Sequence, residues 1–140
     1  MNKNVGQAVF SIMDGIYPDK IFVDYADEKE KLPLITYRFI SSAKKELQSI
    51  IQLEVNVWDN KGKDIEALEE MTERLAEELN KKVFNDGVTY LKFELQNILP
   101  MPDQDPKISR RILNFNVKYI DRRKEWEVEN IQELQKQQII

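Results

Sequence analysis

The sequence predicts an α+β fold: a mostly antiparallel β-sheet of four to five strands, with an N-terminal helix and one long amphipathic helix packed on one face. Three observations carry this expectation. From Ser49 to Trp58, Ile51, Leu53, Val55 and Val57 alternate with Gln52, Glu54 and Asn56, the period-two pattern of a strand with one buried face. After Asp64, Ile65, Leu68, Met71, Leu75 and Leu79 recur at helical spacing on an otherwise charged segment. Two later segments, Val88–Leu99 and Ile108–Ile120, return to alternation, and half-buried alternating strands suit an antiparallel sheet covered on one side.

Taken in order, Val5, Ala8, Val9, Ile12 and Ile16 form the apolar stripe of a first helix. Gly15 and Tyr17-Pro18 are placed to end it. Phe10 lies off that stripe and is a candidate contact residue. Ile21–Tyr25 reads as a short edge strand. Pro33 then opens a strand over Leu34–Ser41, since proline suits the start of a strand and not its centre. The polar Ser42–Leu47 connection is short enough to join it to Ser49–Trp58 as an antiparallel hairpin. Asp59-Asn60-Lys61-Gly62 supplies turn chemistry.

The long helix is expected over Asp64–Lys82. Glu70/Arg74, Glu77/Lys81 and Glu78/Lys82 stand at four-residue spacing in the favourable order, worth ~0.2–0.5 kcal/mol each. Asn85-Asp86-Gly87 is read as its stop. Between the last two strands, Leu99–Pro106 holds three prolines, which predicts a stiff, protruding loop with Met101 at its apolar tip. The division is a single domain over residues 1–120 and a C-terminal extension over 121–140. In that extension Glu125-Trp126-Glu127-Val128-Glu129 alternates like a strand, and the chain closes in Ile139-Ile140.

Composition narrows the function classes. The 140 residues are 41% hydrophobic and 33% charged, with a formal charge of −4. That balance argues against a protein that binds nucleic acid by neutralising phosphates. There is no His and no Cys, which excludes Ser-His-Asp and Cys-His catalysis within one chain and any imidazole or thiolate zinc site. Asp59-Asn60-Lys61-Gly62-Lys63-Asp64 fails the calcium-loop pattern, having Lys at the third position and Gly at the fourth. The glycines are scattered singly, so no phosphate-binding loop is present. No cofactor is expected, and an enzyme built from this chain would depend on carboxylates, Lys, Tyr or a carboxylate-bound metal. The N-terminal stretch is too polar for a signal-peptide core, and no apolar run approaches the ~20 residues of a membrane helix. A cytoplasmic protein is expected.

Several segments in order carry a resemblance: Tyr17-Pro18-Asp19-Lys20-Ile21 after a helix, Leu32-Pro33-Leu34-Ile35-Thr36-Tyr37, a strand ending Val57-Trp58-Asp59 before a helix, and Leu99-Pro100-Met101-Pro102-Asp103-Gln104-Asp105-Pro106 before a closing strand. Together, over roughly residues 3–120, they resemble the tail completion (tail terminator) proteins of tailed bacteriophages and prophage-derived particles. The resemblance implies a non-enzymatic assembly protein that acts as a homo-oligomeric ring, commonly a hexamer. Such a ring closes the tail tube and joins it to the head, so the implied partners are further copies of the chain, the tail tube protein and the head-tail connector protein. No sequence-specific nucleic acid and no membrane is expected. Localisation would be the bacterial host cytoplasm during assembly, then the virion or phage-like particle.

Under this reading the candidate interface residues are Met101, Pro102, Trp126, Val128, Ile131, Leu134, Ile139 and Ile140. Glu66, Glu69, Glu70, Glu73 and Glu77 are candidates to line a lumen through which DNA slides without sticking. The competing readings are a head-completion connector or stopper and, from another class, a small carboxylate-dependent enzyme.

Overall fold

The computed structural model describes residues 3–45 and 48–121 of the chain. Two helices and six strands follow in the order α1 (Lys3–Ile16), β1 (Ile21–Val23), β2 (Leu34–Lys45), β3 (Gln48–Asp59), α2 (Glu66–Leu79), β4 (Val83–Asn85), β5 (Thr89–Met101) and β6 (Ser109–Asp121). All six strands join one sheet in the order β1-β2-β3-β6-β5-β4. The pairings are antiparallel except β1 with β2, which is parallel.

This corrects the predicted fold class. The described residues are mostly β, a curled, half-barrel sheet of six mixed strands with two short helices, and not a four-to-five-strand sheet with one long helix. The two helices are equal in length, 14 residues each. Helix α2 stops at Leu79 because Asn80 is extended and Lys81 takes a positive φ of 65°. Lys81 and Lys82 therefore leave the helix and join the sheet: Lys81 N–H donates to the Phe93 carbonyl at 2.8 Å, and Phe93 N–H to that of Lys82 at 2.9 Å. Strand β4 follows at once. The Asn85-Asp86-Gly87 stretch is then a hairpin turn and not a helix stop: the Asp86 carboxylate accepts from Val88 N–H (2.9 Å) and Thr89 N–H (2.6 Å). Helix α1 likewise continues through Gly15 to Ile16.

The alternating segments do form the long strands, and register explains what they bury. Ile35 and Tyr37 of β2, Ile51, Leu53, Val55 and Val57 of β3, Leu113, Phe115, Val117 and Tyr119 of β6, and Leu91 and Phe93 of β5 fill one core. Val5, Val9 and Met13 of α1 and Leu68, Met71, Leu75 and Leu79 of α2 close over it. Each fully buried aliphatic or aromatic side chain of this kind contributes about 1.5–3 kcal/mol. Ile65 is not among them; it stands at the N-cap of α2 and is 38% exposed. No helix among the described residues is long and apolar enough to cross a membrane.

Candidate interaction surfaces

The helices cover one face of the sheet, and the strand register sets out the other in rows. Leu34, Trp58, Arg110 and Met101 lie side by side, followed by Thr36, Asn56, Ile112 and Leu99, then Arg38, Glu54, Asn114 and Asn97. Beyond them come Ser41, Gln52, Asn116 and Glu94. This face, bare among the described residues, is thus graded. It is aromatic and apolar at one end and carboxamide-rich in the middle, where Asn114 donates to Asn97 at 2.7 Å and Ser41 to Gln52 at 2.8 Å.

At the aromatic end, Trp58 Nε1–H donates to Thr36 Oγ1 at 2.9 Å. The Arg110 guanidinium lies 4.6 Å from the centre of the indole ring, a cation–π contact. Arg110 Nε and Asn56 Oδ1 are buried with no hydrogen-bond partner in the structure. Arg38 pairs with Glu54 on the same face. Asp59, next to Trp58 and pointing the other way, is 1% exposed, and its Oδ1 accepts from Asn60 N–H at 2.8 Å to shape the turn into α2.

A second surface lies between α1 and the β1 edge. Gly6, Gln7, Phe10 and Ser11 form one wall of a groove of about 740 Å³, and Val23, Asp24, Tyr37 and Phe39 form the other. Phe10 is 38% exposed and Val23 51% exposed, a high exposure for side chains with nothing polar to offer water. Burial raises the Tyr37 hydroxyl above its ordinary pKa, and the negative charge of Asp24 adds to the shift. Phe10 was legible from the sequence because it falls off the α1 stripe. Val23 was not, since only the shortness of β1 and its edge position leave it uncovered.

The sequence-predicted interface residues divide. Met101 is the last residue of β5, half-buried opposite Arg110, and only Pro102 begins the loop. Met101 is therefore not the tip of a protruding loop. That loop is also tied down, since Gly62 N–H donates to the Lys107 carbonyl at 3.1 Å and the Ser109 hydroxyl to the Gly62 carbonyl at 3.1 Å. Trp126, Val128, Ile131, Leu134, Ile139 and Ile140 lie outside the described residues.

Of the acidic residues, Glu66, Glu70, Glu73 and Glu77 share the exposed side of α2, opposite Leu68, Met71, Leu75 and Leu79. Glu69 differs: it turns to β6 and pairs with Arg111 at 2.8 Å. The expected Glu-to-basic ladder is replaced by a single pair in the reverse order, Arg74 to Glu78 at 3.2 Å, and Arg74 also stacks 4.9 Å from the centre of the Tyr17 ring. Among the described residues no group of three or more Asp or Glu is arranged to hold a metal ion.

No protein-family model matches this chain, and no curated protein matches it.

Proposed function

We propose that the chain is a non-enzymatic structural protein of a phage or prophage-derived tail, a ring-forming subunit that closes the tail tube and joins it to the head. The reading rests on the ordered segments around Tyr17-Pro18, Leu32-Pro33, Trp58-Asp59 and Pro100–Pro106. One structural observation supports it above the others. Exposed apolar side chains stand toward opposite edges of the same sheet: Phe10, Val23 and Tyr25 (81% exposed) beside β1, and, on the outer part of β5, Ile98 and Leu99 (40% and 44% exposed), which face opposite sides of the sheet. A cyclic, head-to-tail ring needs two different and complementary patches on each subunit, whereas a two-fold dimer needs one self-complementary patch.

In this proposal the ring is a hexamer that meets the tail tube protein on one side and the connector protein on the other. It is made in the host cytoplasm and carried in the particle. The exposed stripe Glu66, Glu70, Glu73 and Glu77 faces the lumen, where negative charge lets DNA pass.

The test is to determine the solution mass of the full chain and to image it by negative stain, alone and with tail tubes. Rings that cap tube ends are expected, and Val23→Asp or Leu99→Asp alone should prevent ring closure. A chain that stays monomeric and never touches tubes at high concentration overturns the proposal. Rings with α2 on their outer wall overturn the lumen assignment alone.

A further inference from the structure

The two edges of the sheet are each half covered, and on opposite halves. Strand β1 pairs with Ile35, Thr36 and Tyr37 of β2, and Asp24 N–H closes the run on the Tyr37 carbonyl at 2.8 Å. Over residues 38–45 the outer edge of β2 has no strand beside it among the described residues. At the far edge, β4 and Lys82 cover β5 from Tyr90 to Phe93, and Leu95 N–H donates to Asn80 Oδ1 at 3.1 Å. Over residues 96–101 the outer edge of β5 is likewise without a strand among the described residues. Unpaired N–H and C=O groups on such edges are a template for another strand.

The register shows which groups each edge offers. In an antiparallel ladder, residues directly opposite either exchange hydrogen bonds or both point away. Ile35 N–H donates to the Lys20 carbonyl and Phe93 N–H to that of Lys82, so Ile35 and Phe93 point outward. Carried through the irregularities at Phe39/Ser41 and Leu95/Asn97, the alternation turns Phe39, Ser42 and Lys44 of β2 outward, with Ile98 and Pro100 of β5. Pro100 brings no N–H, which shortens the β5 run. Ile98 N–H and the carbonyls of Ile98 and Pro100 remain.

A second copy of the chain fits these edges. Strands β2 and β5 run in opposite senses, so the β5 edge of one copy meets the β2 edge of the next antiparallel, with the helices of both on the same face. Ile98 and Ser42 stand opposite the core residues Leu113 and Ile51, so they share that face and can face each other. In this register Lys45 of one copy reaches the level of Leu95 in its neighbour, where the cover of β5 begins. Ile98 lies on the row of Val55 and Ser42 on that of Ile51, four residues along β3. Successive copies are therefore staggered by about 14 Å over the four strands from β2 to β5. That is the one-to-one ratio of shear to strand number at which an eight-stranded barrel closes, its strands tilted by about 36°. Exposed apolar side chains mark the same two stretches, Ile40 on β2 and Ile98 and Leu99 on β5.

We propose that copies of the chain join head to tail through their sheets. Residues 96–101 of β5 in one copy pair with residues 38–45 of β2 in the next, Ile98 opposite Ser42. The pairing rests on the functional reading only for the presence of further copies, and it needs no tail tube.

Because the chain has no Cys, disulfide trapping tests the pairing directly. Two full-length single variants, Ala43→Cys and Asn97→Cys, are mixed under mild oxidation, since the proposed register sets these positions opposite each other. The mixed 43–97 product should far exceed the proportion that random pairing gives, and the double variant should form a ladder of covalent oligomers. Separately, Ile98→Pro removes only an outward N–H. It should keep the fold by circular dichroism and weaken self-association roughly tenfold by sedimentation equilibrium. A mixed product at or below the random proportion, or unchanged self-association in Ile98→Pro, overturns the proposal. Rings that cap tube ends yet give no mixed product overturn the pairing and leave the functional reading. A ladder from a chain that never touches tubes supports the pairing and overturns that reading.

Discussion

The two faces of the central strands show how one alternating sequence can be buried for two different reasons. On the helix-covered face Val55, Val57, Leu113 and Phe115 are at most 1% exposed, and water is excluded by α1 and α2. On the bare face Thr36, Glu54 and Asn56 are also nearly buried, at 6%, 7% and 6% exposed, although no described element lies over them. They are shielded by their own neighbours: Trp58 with Arg110 over one row, and Arg38 paired with Glu54 in another. The first face is held by area removed from water, and the second by specific polar partners. A truncation should therefore cost more on the first, while buried polar atoms without a hydrogen-bond partner occur on both, Asp59 Oδ2 on the first and Asn56 Oδ1 and Arg110 Nε on the second.

The sharpest contrast comes from the covered face. Phe115→Ala should cost about 3–5 kcal/mol, since it opens a cavity that packed neighbours cannot fill, and urea denaturation will show it as a lowered midpoint. On the bare face Trp58→Ala removes the bond to Thr36 and the contact with Arg110. Its expected cost is ~1–2 kcal/mol, and a loss as large as that of Phe115→Ala would erase the distinction between the faces. Glu54→Gln keeps the shape and removes one charge of the Arg38 pair. Since the Arg38 side chain is 59% exposed, solvent screens the pair, and a loss below about 1 kcal/mol is expected.

Tyr37 gives the covered face a signature in pH. Its pKa is raised by burial above the ordinary value of 10.0, so the folded state resists forming the phenolate. The stabilisation linked to it is whole below pH 10 and lost as pH climbs through the raised folded-state value. Tyr37→Phe should therefore leave stability unchanged at neutral pH and hold it further into alkali, as followed by circular dichroism. An identical alkaline midpoint in both proteins would remove Tyr37 from this role. The smallest effect belongs to the exposed stripe of α2. Replacing Glu66, Glu70, Glu73 and Glu77 by Gln should move stability by no more than about 0.5 kcal/mol per site, so a larger shift would mean that these carboxylates have structural partners, as Glu69 has in Arg111.

The long strands were legible because Ile51–Val57 and Leu113–Tyr119 alternate strictly, and half-burial on a pleated surface demands that period. Helix α1 was legible from Val5, Val9 and Ile16, and Phe10 from its departure from that stripe. The sequence misled wherever local signals competed with pairing. Leu79–Lys82 has helical spacing and helix-favouring charge, yet Lys81 and Lys82 are drawn out by hydrogen bonds to Phe93, twelve residues or so further on. Met101 reads as a loop tip among prolines, yet it extends β5 because Arg110 lies opposite to pair with it. The acidic residues of α2 look alike in sequence, and only the approach of β6 separates Glu69 from the rest.

By itself, then, the sequence determined which side of each long strand turns away from water. It also excluded the chemistries that need imidazole or thiol, because periodicity and composition are local properties of the chain. Tertiary structure decided the sheet order, the parallel β1 edge, the short β4 that ends α2, and the pairing of Trp58 with Arg110. Those depend on contacts between residues distant in sequence, whose free energies local patterns do not record.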